Sequence, residues 1–85
     1  MKSFDYVIKD ELGIHARPAG LLVKEAKKFV SKIVLSKDGK TAEATKLMAV
    51  MSLGVKQHQK ITVTLEGDDE DTAIVAMQKF FEEQL

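Results

Sequence analysis

Apolar residues in this 85-residue chain repeatedly change their spacing. A chain that switches between every-second and every-third-or-fourth spacing must alternate strands with helices. Phe4, Tyr6 and Ile8 alternate with Ser3, Asp5 and Val7, which predicts a strand with one buried face. Asp10 to Gly13 reads as a loop. From Ala16 the period lengthens: Ala19, Leu22, Val23, Ala26, Phe29 and Val30 draw an apolar helix stripe that ends near Val30. Pro18 fits the first turn of that helix, where its fixed φ and missing N–H are tolerated. This puts the helix start within a residue or two of His15 to Arg17.

Strand spacing returns at Ile33 and Leu35. Asp38-Gly39 suits a two-residue hairpin turn whose central positions both need positive φ, and Lys40 to Ala44 forms the return strand. Leu47 to Leu53 is apolar without alternation and runs into Gly54, as a short helix with a glycine cap does. Ile61, Val63 and Leu65 mark the clearest strand. The acids Asp68 to Asp71 then stand where a helix start favours negative charge, ahead of an apolar stripe of Ala73, Ile74, Met77, Phe80, Phe81 and Leu85. The order β-α-β-β-α-β-α implies an α+β open-faced sandwich, its sheet antiparallel or mixed, with helices over one face and water on the other. No linker or repeat divides residues 1–85, so a single domain is expected.

Composition removes several functions. Without cysteine there is no disulfide, thiolate nucleophile or Cys-bound zinc. Thirteen Lys+Arg against thirteen Asp+Glu argue against a dedicated nucleic-acid binder. That balance conceals segregation. Residues 1–60 hold twelve basic and six acidic side chains, and residues 61–85 hold one and seven. Met1 to Ile8 has no signal-peptide apolar core, and apolar runs such as Leu47 to Met51 fall far short of the ~20 residues that span a bilayer. The expected location is the cytoplasm, with no membrane insertion.

The segment Gly13-Ile14-His15-Ala16-Arg17-Pro18 puts a histidine at a helix entrance, two residues before an arginine. The free N–H groups of a first helical turn make a ready anion site. A neutral imidazole is a competent nucleophile, and a phosphoryl group transferred to it would lie beside those N–H groups. Arg17, a fixed-charge donor fork, suits such a group, and the positive helix end disfavours protonation of His15. A lone loop histidine is also commonly just an exposed or capping residue. The basic helix face that begins here, with Arg17, Gly20, Leu21, Lys24, Lys27 and Lys28, tilts the reading toward a phosphoacceptor with a docking surface for acidic partners. A helix as short as Leu47 to Leu53 cannot bury all of Leu47, Met48 and Met51. Some of them should face solvent or a partner; the competing reading puts both methionines in the core, and for Met51 the two are nearly even.

Gly13-Ile14-His15-Ala16-Arg17-Pro18-Ala19 together with Met48-Ala49-Val50-Met51-Ser52-Leu53-Gly54 resembles the HPr family, the histidine-containing phosphocarriers of the bacterial phosphoenolpyruvate:sugar phosphotransferase system. The likeness runs over essentially the whole chain. It implies four antiparallel strands covered on one face by three helices. It also implies that His15 takes phosphate on Nδ1 from phospho-enzyme I and passes it to sugar-specific IIA components. Arg17 and the backbone N–H groups of Ala16 and Arg17 would stabilise the phosphate. The implied partner surface comprises Gly20, Leu21, Lys24, Lys27, Lys46, Leu47, Met48 and Met51. No cofactor or metal is implied, the chain would have no turnover of its own, and it would act as a monomer.

Three positions depart from the family pattern. Many Gram-positive members carry a kinase-regulated serine where this chain has Lys46. Lysine cannot accept that phosphate, so regulation by this route is expected to be absent. Thr45 is a poor substitute, because one residue at a helix start rotates the hydroxyl by about 100°. Leu12 stands where a small polar residue is usual, and His58 where many relatives have glycine, which matters if the turn there needs positive φ. A metal held by His15 and His58 would lack carboxylate partners. Two other classes compete: a regulatory paralogue acting by binding alone, and a small ligand- or RNA-binding domain. His15 and Lys46 disfavour the first. The second lacks surface aromatics, since Phe4, Tyr6, Phe29, Phe80 and Phe81 all fall at core positions.

Overall fold

The alternating segments pair as their apolar sides require. A computed structural model describes residues 1–85. Its strands are β1 (Lys2–Val7), β2 (Lys32–Lys37), β3 (Lys40–Glu43) and β4 (Lys60–Glu66), joined as one antiparallel sheet in the order β1-β4-β2-β3. Phe4 pairs with Val63, Val63 with Leu35, and Leu35 with Ala42, so one apolar row crosses the whole sheet. The neighbouring row, Asp5, Thr62, Ser36 and Thr41, is polar, and the Thr62 hydroxyl donates to Asp5 Oδ1 at 2.7 Å. A one-residue slip would exchange the two rows, and that penalty fixes the register. At the β2–β3 turn, Asp38 (φ 50°) and Gly39 (φ 83°) both take the left-handed conformation expected of this hairpin.

Three helices cover the apolar face: α1 (Ala16–Ala26), α2 (Leu47–Ser52) and α3 (Glu70–Gln84). Helix α3 buries Ala73, Met77 and Phe81, with Leu85 buried just beyond its end. The Phe81 ring meets Phe4, Tyr6 and Phe80 edge-on at 5.5–5.9 Å between centroids. Truncating a fully buried phenylalanine of this kind costs about 3–5 kcal/mol. The Tyr6 hydroxyl has no hydrogen-bond partner there, and burial, followed by the Glu82 charge, raises its pKa. Helix α2 buries Val50 and stops at Ser52, one residue before the expected Leu53; Gly54 follows at φ 62°. Strand β3 likewise ends at Glu43, although the Ala44 N–H still bonds to the Ile33 carbonyl at 2.8 Å.

Helix α1 is shorter than its apolar stripe. It buries Pro18, Ala19, Leu22 and Ala26, then ends, leaving Val30 80% exposed. The cause lies 39 residues away in sequence. After Ala26 the bonds tighten to the third residue back, at Lys28 and Phe29. The Asp69 carboxylate then accepts the N–H groups of Val30 (3.0 Å) and Ser31 (2.9 Å) and turns the chain into β2. The turn before β4 holds His58 at φ 72°, the positive value that makes glycine the easier occupant.

Candidate functional site

The loop from Lys9 to His15 is held on two sides. The N–H groups of Lys9 and Asp10 donate to the Leu85 oxygen, at 2.6 and 2.9 Å, and the Ile14 N–H donates to the Val55 carbonyl at 3.0 Å. Gly13 is required twice over. Its φ is 71°, and a Cβ there would stand 2.2 Å from the Val55 oxygen. Within the loop, Asp10 Oδ1 accepts the Leu12 N–H at 2.8 Å, an Asx turn. This seating delivers His15 to the N-cap position of α1, in extended conformation, where its carbonyl accepts the Ala19 N–H at 2.9 Å.

The start of α1 offers donors and no acceptor. The N–H groups of Ala16 and Arg17 bond to nothing in the chain, Pro18 has none, no side chain caps the helix, and its first turn holds no acid. Arg17 is exposed and outside every ion pair. The half-buried His15 ring stands beside these groups. Two free N–H groups and an unpaired, exposed arginine therefore follow His15 directly in the chain, a donor set of the kind that suits a tetrahedral oxyanion. The basic face read from the sequence leaves out one acid at this end, Asp10, whose Oδ1 lies 3.6 Å from His15 Nε2. The available signal was slight: an aspartate placed to bond the N–H two residues on, just ahead of a glycine.

The expected partner surface splits into two connected parts. Helices α1 and α2 pack against each other. Along α1, Gly20 has open space over its Cα, Leu21 is exposed, and Lys24 and Lys27 are exposed without ion pairs, whereas Lys28 is tied to Glu25 at 3.0 Å. On α2, Leu47, Met48 (73%) and Met51 are exposed around the buried Val50. Both methionines thus belong to the surface, which resolves the open question over Met51. Lys46 is the exposed N-cap of α2, and Leu12, 70% exposed, adds an apolar residue on the His15 loop. The Ser52 hydroxyl is engaged, donating to the Met48 carbonyl at 2.7 Å. His15 and Arg17 line neither of the molecule's two grooves, and Arg17 is exposed. No three His, Asp or Glu side chains converge on a metal position, and no helix is long and apolar enough to cross a membrane.

Comparisons with known proteins converge on one family. The family model described as the PTS HPr component phosphorylation site matches residues 2–83. The phosphocarrier protein HPr of Mycoplasma pneumoniae is 42% identical over 83 residues, covering 96% of this chain and 94% of the relative. Among solved structures, an HPr from Thermoanaerobacter tengcongensis is 44% identical with a TM-score of 0.93, covering 98% of this chain and 93% of its own. The phosphocarrier protein HPr from Bacillus anthracis is 36% identical with a TM-score of 0.87, covering 94% and 95%.

Proposed function

Because this chain belongs to the HPr family of phosphocarriers of the phosphotransferase system, we propose that His15 accepts a phosphoryl group from phospho-enzyme I and hands it to sugar-specific IIA components. The Nδ1 lone pair attacks phosphorus as the donor's bond to phosphorus breaks. The Ala16 and Arg17 N–H groups and the Arg17 guanidinium take up the phosphoryl oxygens, which carry about −1.5 to −2 charge. The observation that carries this reading is the α1 start, where a histidine at the N-cap precedes two unbonded N–H groups and a first turn that holds no acid.

The open surface suits a carrier. An N–P bond that must break again at the next partner is poorly served by a closed cage. One arginine and two N–H groups hold the group without trapping it. Partners of acidic character dock on the unpaired Lys24 and Lys27 and on Gly20 and Leu21, while Lys46, Leu47, Met48 and Met51 supply the other half of the contact. The chain works as a monomer in the cytoplasm, needs no cofactor, and is not switched by a kinase at Lys46.

Incubation with phosphoenolpyruvate and enzyme I tests the proposal. The wild-type protein should take up an acid-labile, alkali-stable phosphate, and His15→Ala should take none. Equal labelling of the two proteins would sink it.

A further inference from the structure

Asp10 lies outside the donor set just described, yet it is the only acid in an ion-pair contact with the His15 ring. We propose that Asp10 is a positioning residue that keeps the His15 proton on Nε2, so that Nδ1 presents its lone pair to phosphorus; this rests on His15 being the phosphoacceptor. The two side chains face each other across 3.6 Å, each with less than a third of its surface exposed. That is longer than a hydrogen bond, and a shift of less than about 1 Å would close it to one. Asp10 is not free to turn away. Its Oδ1 accepts the Leu12 N–H, its carbonyl accepts the Gly13 N–H at 3.0 Å, and its own N–H is spent on Leu85.

The logic follows from what a carboxylate can do. Ionised, it only accepts, so the ring nitrogen facing it must be the one that carries hydrogen. In a neutral imidazole the other nitrogen is then the nucleophile. Neither ring nitrogen is taken up by a hydrogen bond within the chain, so the Asp10 contact at Nε2 is what distinguishes the two, and Nδ1 is left open. When Nδ1 bonds to phosphorus, the donor leaves with the electron pair of its own bond to phosphorus. Nε2 keeps its proton, and the ring acquires a positive charge that Asp10 offsets. On transfer to the next partner, the N–P electron pair returns to Nδ1 and the ring leaves as neutral imidazole. Asp10 therefore assists both the making and the breaking of the N–P bond.

Asp10→Asn tests this, because the amide oxygen can still accept the Leu12 N–H while the charge is gone. Its melting temperature should match wild type. Phosphoryl uptake from phospho-enzyme I should slow about threefold to fivefold, the range expected for one half-exposed charge contact. The isolated phosphoform should hydrolyse more slowly by a similar factor, since its ring holds the labilising Nε2 proton less well. A purely structural defect would slow uptake without lengthening that lifetime. Nitrogen-15 NMR of His15 should show the population shifting from the Nε2–H toward the Nδ1–H tautomer. Wild-type uptake, lifetime and tautomer populations in Asp10→Asn would overturn the proposal and leave the carrier reading intact. So would a wild-type His15 found protonated mainly on Nδ1, a measurement that needs no variant. Wild type that takes no label would overturn both.

Discussion

Two helices of this protein begin in opposite ways. At α3, Asp69 does not cap its own helix. It bonds the Val30 and Ser31 N–H groups and the Ser31 hydroxyl, while Glu70 takes the Gly67 N–H at 3.1 Å and the N-terminal ammonium at 3.2 Å. Both carboxyls are held below their ordinary range, Asp69 first by the Ser31 hydroxyl and Glu70 first by the Gly67 N–H. At α1 there is no acid in the first turn, two N–H groups are unbonded, and the charged residue present is Arg17. A cation in a first turn opposes the helix dipole by a few tenths of a kcal/mol or more. The contrast shows where stability has been maximised and where it has been given up. The α3 end carries permanent anions, and Asp69 among them ties α3 to the α1–β2 turn, whereas the α1 end keeps its donors unpaired.

Converting the α1 end to the α3 pattern should produce the largest effect. Arg17→Glu puts an acid where the dipole favours one, so the melting temperature should rise slightly, equivalent to roughly 0.3–1 kcal/mol. Phosphoryl uptake at His15 should nevertheless fall by about 100-fold, since a charge-assisted contact of about 1.5–3 kcal/mol is lost and a repulsion replaces it. Lys24→Ala, on the rim of the same face, should slow uptake by less than about fivefold. Transfer kinetics and thermal unfolding measured on the same preparations decide the matter. Equal slowing by the two changes would reduce Arg17 to one docking charge among several. A fall in both stability and rate for Arg17→Glu would make the arginine structural.

Weakening the α3 end should cost less and should register in stability rather than transfer. Ser31→Ala removes a nearly buried hydroxyl from Asp69 and should destabilise the protein by about 1 kcal/mol at neutral pH. A carboxyl whose folded pKa is depressed contributes stability that is complete above its unfolded pKa and lost as pH falls through the folded value. With ordinary values of 3.8 for Asp69 and 4.5 for Glu70, that loss begins below about pH 5, Glu70 first, and continues as pH falls through the depressed folded values. Because the Ser31 hydroxyl is the chief cause of the Asp69 shift, the gap between wild type and Ser31→Ala should narrow below pH 4. Denaturant unfolding between pH 2 and 7 measures it. A gap independent of pH would mean that Asp69 draws its stabilisation from the backbone N–H groups alone.

The same pair of helix ends separates what could be read along the chain from what could not. Ile61, Val63 and Leu65 declare a strand by themselves, and Asp38-Gly39 declares its turn, because both signals are local. His15 beside Arg17 was legible for the same reason. The end of α1 was not. Leu22, Ala26, Phe29 and Val30 keep helical spacing, but beyond Ala26 the bonds tighten and Asp69, 39 residues on from Val30, accepts the Val30 and Ser31 N–H groups and draws the chain into β2. The acids at 68–71 read as a charge gradient along α3, and the main employment of Asp69 lies on another element. Asp10 was hidden likewise, since its approach to His15 depends on the turn at Gly13 and on the Val55 carbonyl beneath it. Periodicity locates elements; the contacts that place side chains for chemistry cross between them.

Helix α2 offers a third kind of beginning, and the smallest change tests it. Lys46 occupies the N-cap with φ −112° and ψ 100° and makes no side-chain bond to the first turn, so the six-residue helix starts uncapped beneath a positive charge. Serine at an N-cap accepts an N–H from the first turn, and losing the lysine relieves the dipole. Lys46→Ser should therefore stabilise the protein by about 0.5–1 kcal/mol, read as a shift in denaturant midpoint at constant slope. By the family resemblance, the same substitution puts a hydroxyl at the position where many Gram-positive members carry a regulated serine. With ATP and the kinase of such a relative, Lys46→Ser should take up phosphate and wild type should take none. Wild-type label on Thr45 would contradict the reading of this helix start as unswitched. A Lys46→Ser protein no more stable than wild type would show that lysine at this cap carries no cost, and its presence would then need no functional reason.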